Sequence, residues 1–218
     1  MRTDALAPLR HFVVEMTRCV GEVSNEPDLL AQGKALLSQL IAHDHWLPEE
    51  FAKAKPDTYA QYLLHCDPME RFSVVSFVWG PGHCTPVHDH TVWGLVGILR
   101  GAERCEEFAW QSDQQRAVER HCQHLMHPGD IDVVSPTVGD WHRVSNALDS
   151  GVSVSIHVYG ANIGAVRRHR MDDRGRVVEF VSGYTSAVTP NLWDRSASSS
   201  ALPPLPPLSR QTAAQPGR

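Results

Sequence analysis

Residues 82–101 read GHCTPVHDHTVWGLVGILRG. Within this stretch His88 and His90 stand two apart. In an extended chain successive side chains alternate in direction, so both imidazoles point one way and Asp89 the other. Two neutral imidazoles on one side can hold a single divalent metal. Glycines at 82, 94 and 101 frame the pair.

Working outward, residues 71–79 (RFSVVSFVW) are β-branched and aromatic and run into the turn Gly80-Pro81-Gly82. Residues 93–99, 102–110, 130–135 and 151–159 are further strand candidates. Residues 177–181 are another, entered from a turn at Arg174-Gly175. Short strands separated by Gly, Pro and Asp turns predict an all-β barrel or jelly roll. The chain before residue 70 has a different texture. Phe12, Val13, Met16 and Val20 follow helical spacing over 9–20. Asn25-Glu26-Pro27 marks a second helix start with Pro27 in its first turn, followed by Leu29, Leu30, Leu36, Leu37 and Leu40. A third short helix is expected over 56–64. The reading is one domain over 1–195, with a helical segment of about 1–65 packed outside a barrel of about 70–185. Residues 196–218 form a Ser/Pro-rich tail expected to be extended or disordered. Its PPLPP run matches a polyproline II ligand, but a plain tail is the favoured reading.

The 218 residues are 42% hydrophobic and 21% charged, which fits a globular chain with a sizeable core. The formal net charge is −5, and no basic stripe invites nucleic acid. No apolar run approaches the roughly 20 residues that a membrane helix needs. The N-terminus lacks the pattern of a secretory signal, so the expected location is cytoplasmic. Cys19, Cys66, Cys84, Cys105 and Cys122 are odd in number and form no CxxC pair, which points to reduced thiols. Cys84 is singled out because it lies four residues before His88.

A second half-site follows Gly129-Asp130: Pro136, Gly139, His142 and Asn146. A strand at His142 would carry its ring back across the barrel. The two stretches resemble the paired motifs of the cupin superfamily. The first of these runs Gly, five residues, His-x-His, three or four residues, Glu, six residues, Gly. This chain matches it at Gly82, His88, His90 and Gly101 and departs at the glutamate, where Gly94 stands. The second is Pro-x-Gly-x-x-His-x-x-x-Asn, matched at Gly139, His142 and Asn146 with one extra residue after Pro136. The resemblance implies a cupin barrel with His88, His90 and His142 on the metal. Three neutral histidines and no carboxylate leave the ion's charge unneutralised. They also leave about three octahedral positions open, enough for a bidentate anionic substrate and O2.

Residues 151–159 (GVSVSIHVY) alternate cleanly. Val152, Val154, Ile156 and Val158 share one face, and Ser153, Ser155, His157 and Tyr159 share the other. Ser155 can hydrogen-bond His157, and His157 the Tyr159 phenol, giving a relay that aims a phenol at the metal. Taken alone, the row is more often a polar outer face.

The Ser-x-His-x-Tyr row resembles the relay of the cysteine dioxygenase family. Its most specific stretches here are VVSFVWGPGH, PVHDHTVWGLVGILRGAE, SIHVYGANIGAVRR and NLWD, and in detail they look most like the bacterial 3-mercaptopropionate dioxygenases. The resemblance implies Fe(II), O2 and conversion of a small thiol carboxylate to a sulfinate. Animal-type members carry a cysteine, cross-linked to the tyrosine matching Tyr159, where this chain has Gly94. They also place a carboxylate-binding arginine where this chain has Gln61. In the 3-mercaptopropionate group the substrate arginine maps to Arg168, whose planar fork suits a carboxylate. Arg167 and Arg170 are expected to be surface charges. Catalytic roles thus fall on Tyr159, His157 and Ser155, and substrate binding on Arg168 assisted by Gln61. Two other histidine groups, His43/His45 and His121/His124/His127, are expected to be solvated or structural. Cysteine, cysteamine and mercaptosuccinate are rival substrates. A zinc or manganese cupin isomerase, or a non-enzymatic binding module, is the rival from another class.

Overall fold

The computed structural model describes residues 5–111 and 116–186. Two helices come first, α1 (Ala7–Glu22) and α2 (Glu26–Ile41). The second begins as its sequence dictates. Asn25 Oδ1 accepts from the Asp28 N–H at 2.9 Å, and Pro27 sits in the first turn, where its missing N–H costs no helical bond. A 3-10 turn follows at Glu49–Phe51.

Ten strands are found among the described residues: β1 (Ala60–Cys66), β2 (Ser73–Trp79), β3 (Gly94–Arg100), β4 (Glu103–Gln111), β5 (Arg116–Met126), β6 (Ile131–Val134), β7 (His142–Asn146), β8 (Ser153–Tyr159), β9 (Arg168–Met171) and β10 (Val177–Phe180). They form a five-stranded sheet in the order β1-β2-β8-β3-β6, a three-stranded sheet β5-β4-β7 and the hairpin β10-β9. Every pairing is antiparallel. Isolated bridges from Cys84 to Ser145, and from His88 to His142 and Arg170, stitch residues 84–88 to β7 and β9. This is the cupin barrel with helices on its outside.

The alternation in β2 and β8 explains how both faces of the large sheet are buried. Val74, Val78, Val154, Ile156 and Val158 face outward onto Phe12, Met16, Leu30, Leu37 and Leu40 of the helices. Each fully buried side chain of this kind stabilises the fold by about 1.5–3 kcal/mol. Gly97 lets α2 sit close to β3, since a Cβ there would stand 2.9 Å from Ile41 Cδ1 and 3.1 Å from Leu37 Cδ2. Val75, Phe77, Trp79 and Tyr159 face the barrel interior. The 151–159 row is therefore no polar outer face: the helices cover one side and the barrel takes the other.

The strands anticipated from 71–79, 93–99, 102–110, 130–135, 151–159 and 177–181 all exist. The helix expected over 56–64 does not. That segment enters β1, which pairs with β2 from Ala60↔Val78 to Cys66↔Ser73 with an irregularity between Leu63 and His65. The open edge of β2 outweighs the helical propensity of Ala, Gln and Leu. The helical part thus ends well before residue 65. Strands β5 and β9 were also not anticipated; each is rich in charged residues and finds its place by pairing with β4 and β10. The tail over 196–218 and the NLWD stretch lie outside the described residues. Among the described residues no helix is long and apolar enough to cross a membrane.

Candidate metal centre

Three imidazoles converge at one end of the barrel. His142 opens β7, and the bridge between His88 and His142 draws the loop over 86–90 against it, with backbone bonds of 3.0 Å in both directions. Ring centroids are 4.8 Å apart for His88–His90, 4.9 Å for His88–His142 and 4.8 Å for His90–His142, nearly an equilateral triangle. One ligand nitrogen from each lies within 4.8 Å of the others. His88 sits on a bridge, not within a regular strand, yet the alternation holds. Asp89 points away and accepts from His169 N at 2.6 Å and His169 Nδ1 at 2.8 Å.

The outer nitrogens are all engaged. His88 Nδ1 meets the Pro86 carbonyl at 3.0 Å, His90 Nδ1 meets Asp140 Oδ1 at 2.9 Å, and His142 Nδ1 meets Cys105 Sγ at 3.7 Å. Carbonyl and carboxylate partners fix the proton on Nδ1 and leave Nε2 as the free lone pair. Burial, reinforced by the neighbouring rings and Arg168, holds His88 and His90 well below the usual imidazole range. Burial brings His142 down to about 4. All three are neutral near pH 7, the form that binds a metal. The group contains no carboxylate. A Cβ on Gly94 would lie 2.8 Å from both Tyr159 Cδ1 and Val134 Cγ2, so the position has no room for a ligating side chain. A buried, neutral, all-nitrogen triad suits a divalent transition metal with open positions and does not suit Mg or Ca, which take oxygen.

The relay is present and continuous. Ser155 Oγ lies 2.8 Å from His157 Nε2, and His157 Nδ1 lies 2.7 Å from Tyr159 Oη. Phe77 stacks on His157 at 4.1 Å and Tyr159 stacks on His90 at 5.4 Å, locking both rings. Burial pushes the Tyr159 phenol well above its ordinary value, so it remains protonated.

A cavity of about 570 Å³ opens onto His88, His142, His157 and Tyr159. Arg168 lines it while only 4% exposed. Its Nη2 donates to Ser182 Oγ at 2.7 Å, its guanidinium lies 4.7 Å above the Phe180 ring, and its Nε finds no partner. No carboxylate bonds it among the described residues. Gln61 lines the same cavity, but its Nε2 donates to the Gly183 carbonyl and its backbone N to Thr185 Oγ1, so it also fastens the wall that carries Ser182. Arg167 is exposed and pairs with Glu179 at 3.5 Å. Arg170, read as a surface charge, does line the mouth together with Lys55 and the exposed Cys84.

Three contributors escaped the sequence reading. Asp140 receives His90 N and Nδ1 at 2.9 Å each and Thr91 N at 2.8 Å, clamping a ligand ring. Its position two residues before His142 was the available signal. Cys105 and Tyr59 gave none: the pairing of β4 with β7 brings Cys105 to His142, and Tyr59, just before β1, lines the cavity. Of the other histidines, His43 and His45 are exposed and lie 5.9 Å apart. His124 Nε2 bonds Asp132 at 2.7 Å and, with Cys105, completes a second group of ligand-type atoms. Burial and Asp132 raise the Cys105 thiol far above its ordinary value. The side chain of His121 lies outside the described residues.

Comparison with known proteins gives the family. The sequence profile of the family described as "Cysteine dioxygenase type I" matches residues 30–172. Human "Cysteine dioxygenase type 1" is 26% identical over 151 residues, covering 62% of this chain and 75% of that protein. The zebrafish protein of the same name is 24% identical over 148 residues, covering 67% and 68%. A solved Klebsiella pneumoniae protein described as having a double-stranded beta-helix domain superposes with a TM-score of 0.42 at 15% identity, covering 53% of this chain and 89% of that one. The chain belongs to the cysteine dioxygenase type I family and is a thiol dioxygenase, an oxidoreductase.

Proposed function

We propose that this member of the cysteine dioxygenase type I family uses Fe(II) to oxidise a small mercapto-carboxylate to its sulfinate, with 3-mercaptopropionate as the favoured substrate. The observation that carries the reading is the buried Arg168, which no carboxylate bonds among the described residues and which faces the same cavity as His88 and His142. A buried cation without an anion is costly, and a substrate carboxylate supplies the missing charge.

His88, His90 and His142 would hold the iron. Bound there, Fe(II) would supply the site at which a thiolate and O2 meet. The remaining work falls to the chain. Arg168 offers a planar fork to the carboxylate at a fixed distance from the histidines, which orients the sulfur. Tyr159, still protonated, offers a hydrogen bond into the cavity, and His157 and Ser155 hold its orientation. Phe77, Trp79 and Val144 supply an apolar wall that limits water.

The cavity lining supports the substrate choice. Among the described residues it includes Lys55, Arg168 and Arg170 and no Asp or Glu, so a thiol carboxylate without an ammonium group is the better electrostatic match. Cysteine is the second reading, because the matching relatives carry that name. Its ammonium would have to rest on Gln61 or the tyrosine hydroxyls. Mercaptosuccinate would place its second carboxylate toward Lys55 or Arg170. No disulfide is formed among the described residues, which supports a reducing, cytoplasmic setting.

The test is metal analysis of anaerobically purified protein together with O2 uptake on 3-mercaptopropionate, cysteine and mercaptosuccinate. Iron with thiol-dependent uptake, and the highest kcat/KM on 3-mercaptopropionate, is expected. A higher value on cysteine reassigns the substrate. Zinc or manganese, with no uptake on any thiol, removes the iron reading.

A further inference from the structure

Cys105, His124 and Asp132 bring a sulfur, an imidazole nitrogen and a carboxylate oxygen within 4.8 Å of one another. None of them borders the cavity that Arg168 and Tyr159 line, and the reaction uses none of them. Strand register builds the group. Cys105 of β4 and His124 of β5 are direct cross-strand partners, so their side chains share one face. Asp132 comes from β6, which pairs with β3 in the other sheet. His124 Nε2 lies 2.7 Å from Asp132 Oδ2. Cys105 is buried, and the other two side chains are about a third exposed, at 36% and 31%.

We propose that Cys105, His124 and Asp132 form a second metal site, for a thiophilic divalent ion with Zn2+ as the best fit, and that the ion staples the β5-β4-β7 sheet to β6 of the five-stranded sheet.

The donor set selects the ion. Thiolate, imidazole and carboxylate are the three zinc donors, and with water in the fourth position they complete a tetrahedron. Mg and Ca, which take oxygen, would refuse the sulfur. On binding, Cys105 becomes a thiolate and its proton leaves to solvent. His124 turns the Nε2 lone pair to the ion, its ring proton passing to Nδ1. Asp132 exchanges a hydrogen bond for a metal bond. Thiolate and carboxylate together cancel the two charges of the ion, so the filled site is neutral and can stay half-buried at little electrostatic cost. The all-nitrogen triad offers no such neutralisation, which sets the two sites apart in the metal they prefer.

The surroundings leave room for it. A hollow of about 120 Å³ is bordered by Cys105 and Asp132, with Glu107 and Arg120 of opposite charge beside them. A wider groove opens onto His124 and Asp132 from outside, with Lys34 on its rim. One water needs about 30 Å³, so the hollow can take an ion and its water. Metal–donor distances of about 2.0–2.3 Å put tetrahedral donors about 3.3–3.8 Å apart. The His124–Asp132 pair must part, and the farthest donor draw in, by about 1 Å each, within reach of side-chain rotation. Cys105 Sγ also lies 3.7 Å from His142 Nδ1, so the stapled sulfur sits directly behind a ligand of the first site.

The test counts ions in the full chain. Protein with its triad loaded anaerobically with Fe(II) is titrated with Zn2+, desalted and analysed for metal, and thermal unfolding is followed with and without the zinc. Two ions per chain are expected in the wild type, whatever metal the triad holds, and one in His124→Ala. The variant should bind the second ion at least about a hundredfold more weakly, the most that losing an outer partner of a ligand costs. Zinc should raise Tm in the wild type and not in the variant. Co2+ in place of zinc should give a sulfur-to-cobalt charge-transfer band that Cys84→Ser keeps and Cys105→Ser loses. A single ion per chain in the wild type, equal zinc binding in His124→Ala, or a band that survives Cys105→Ser overturns the site. Zinc bound with no rise in Tm overturns the staple. Should His124→Ala not fold, Asp132→Asn carries the same comparison.

Discussion

Asp140→Asn is the sharpest probe of how the barrel prepares its metal ligands. The carboxylate bonds His90 N, His90 Nδ1 and Thr91 N at 2.8–2.9 Å, and so fixes both the backbone and the ring of one ligand. Asparagine keeps one acceptor and turns the other oxygen into an amide donor. Whichever way it is placed, either Thr91 N–H or the His90 ring faces a donor. Leaving one buried donor unmatched costs about 1–3 kcal/mol of folding stability. Loss of the charge also makes His90 a poorer ligand. Outer partners of ligating histidines contribute about ten- to a hundredfold in metal affinity, or about 1.4–2.7 kcal/mol. The assay is competition for Fe(II) against a chelator of known affinity under anaerobic conditions, with thermal unfolding of the metal-free protein measured in parallel. Asp140→Asn should lose affinity by that factor while remaining folded at the assay temperature. Metal affinity equal to wild type in a folded variant would refute the claim that Asp140 tunes the site.

Other outcomes follow from the same geometry. Arg168→Ala should raise KM for a thiol carboxylate about 30-fold or more, as expected for losing roughly 2 kcal/mol of charge-assisted bonding, with a smaller effect on a thiol lacking the carboxylate; equal effects on both thiols in steady-state O2 uptake would contradict it. His157→Asn should lower turnover about ten- to a hundredfold while metal analysis finds the wild-type complement, since it supports Tyr159 and does not ligate. Glu103, fully buried at the start of β4 with Ser153 Oγ donating to it, also makes stability depend on pH. Its folded value, raised from 4.5 to about 7, means the native state holds the proton more tightly. Its contribution is complete below about 4.5 and is lost as pH rises through about 7, by roughly 3 kcal/mol. Glu103→Gln should therefore gain on wild type by up to that amount in urea unfolding at pH 8 relative to pH 5, and a constant difference would refute it.

Much of this protein was legible residue by residue because the decisive features are periodic and local. Spacing of two, framed by glycines, placed His88 and His90 on one side, and alternation through 151–159 placed Ser155, His157 and Tyr159 in a row. Both follow from backbone geometry that needs no knowledge of neighbours. Asn25 and Pro27 likewise fixed the start of α2 by chemistry confined to one turn. The helix expected over 56–64 failed because its residues suit either state, and the open edge of β2 made the choice.

The sequence by itself determined the histidine triad that could hold a metal, the Ser155–His157–Tyr159 row and the barrel that carries them. Only the tertiary structure decided that Asp140 clamps His90, that Arg168 is buried with no carboxylate bonded to it among the described residues, and that Glu103 is buried against Ser153. Glu103 and Ser153 are 50 positions apart, and the two sheets of the barrel bring them together. Contacts of that kind depend on how strands from different sheets meet, and the cost of burying a charge exists only once the surrounding chain has excluded water.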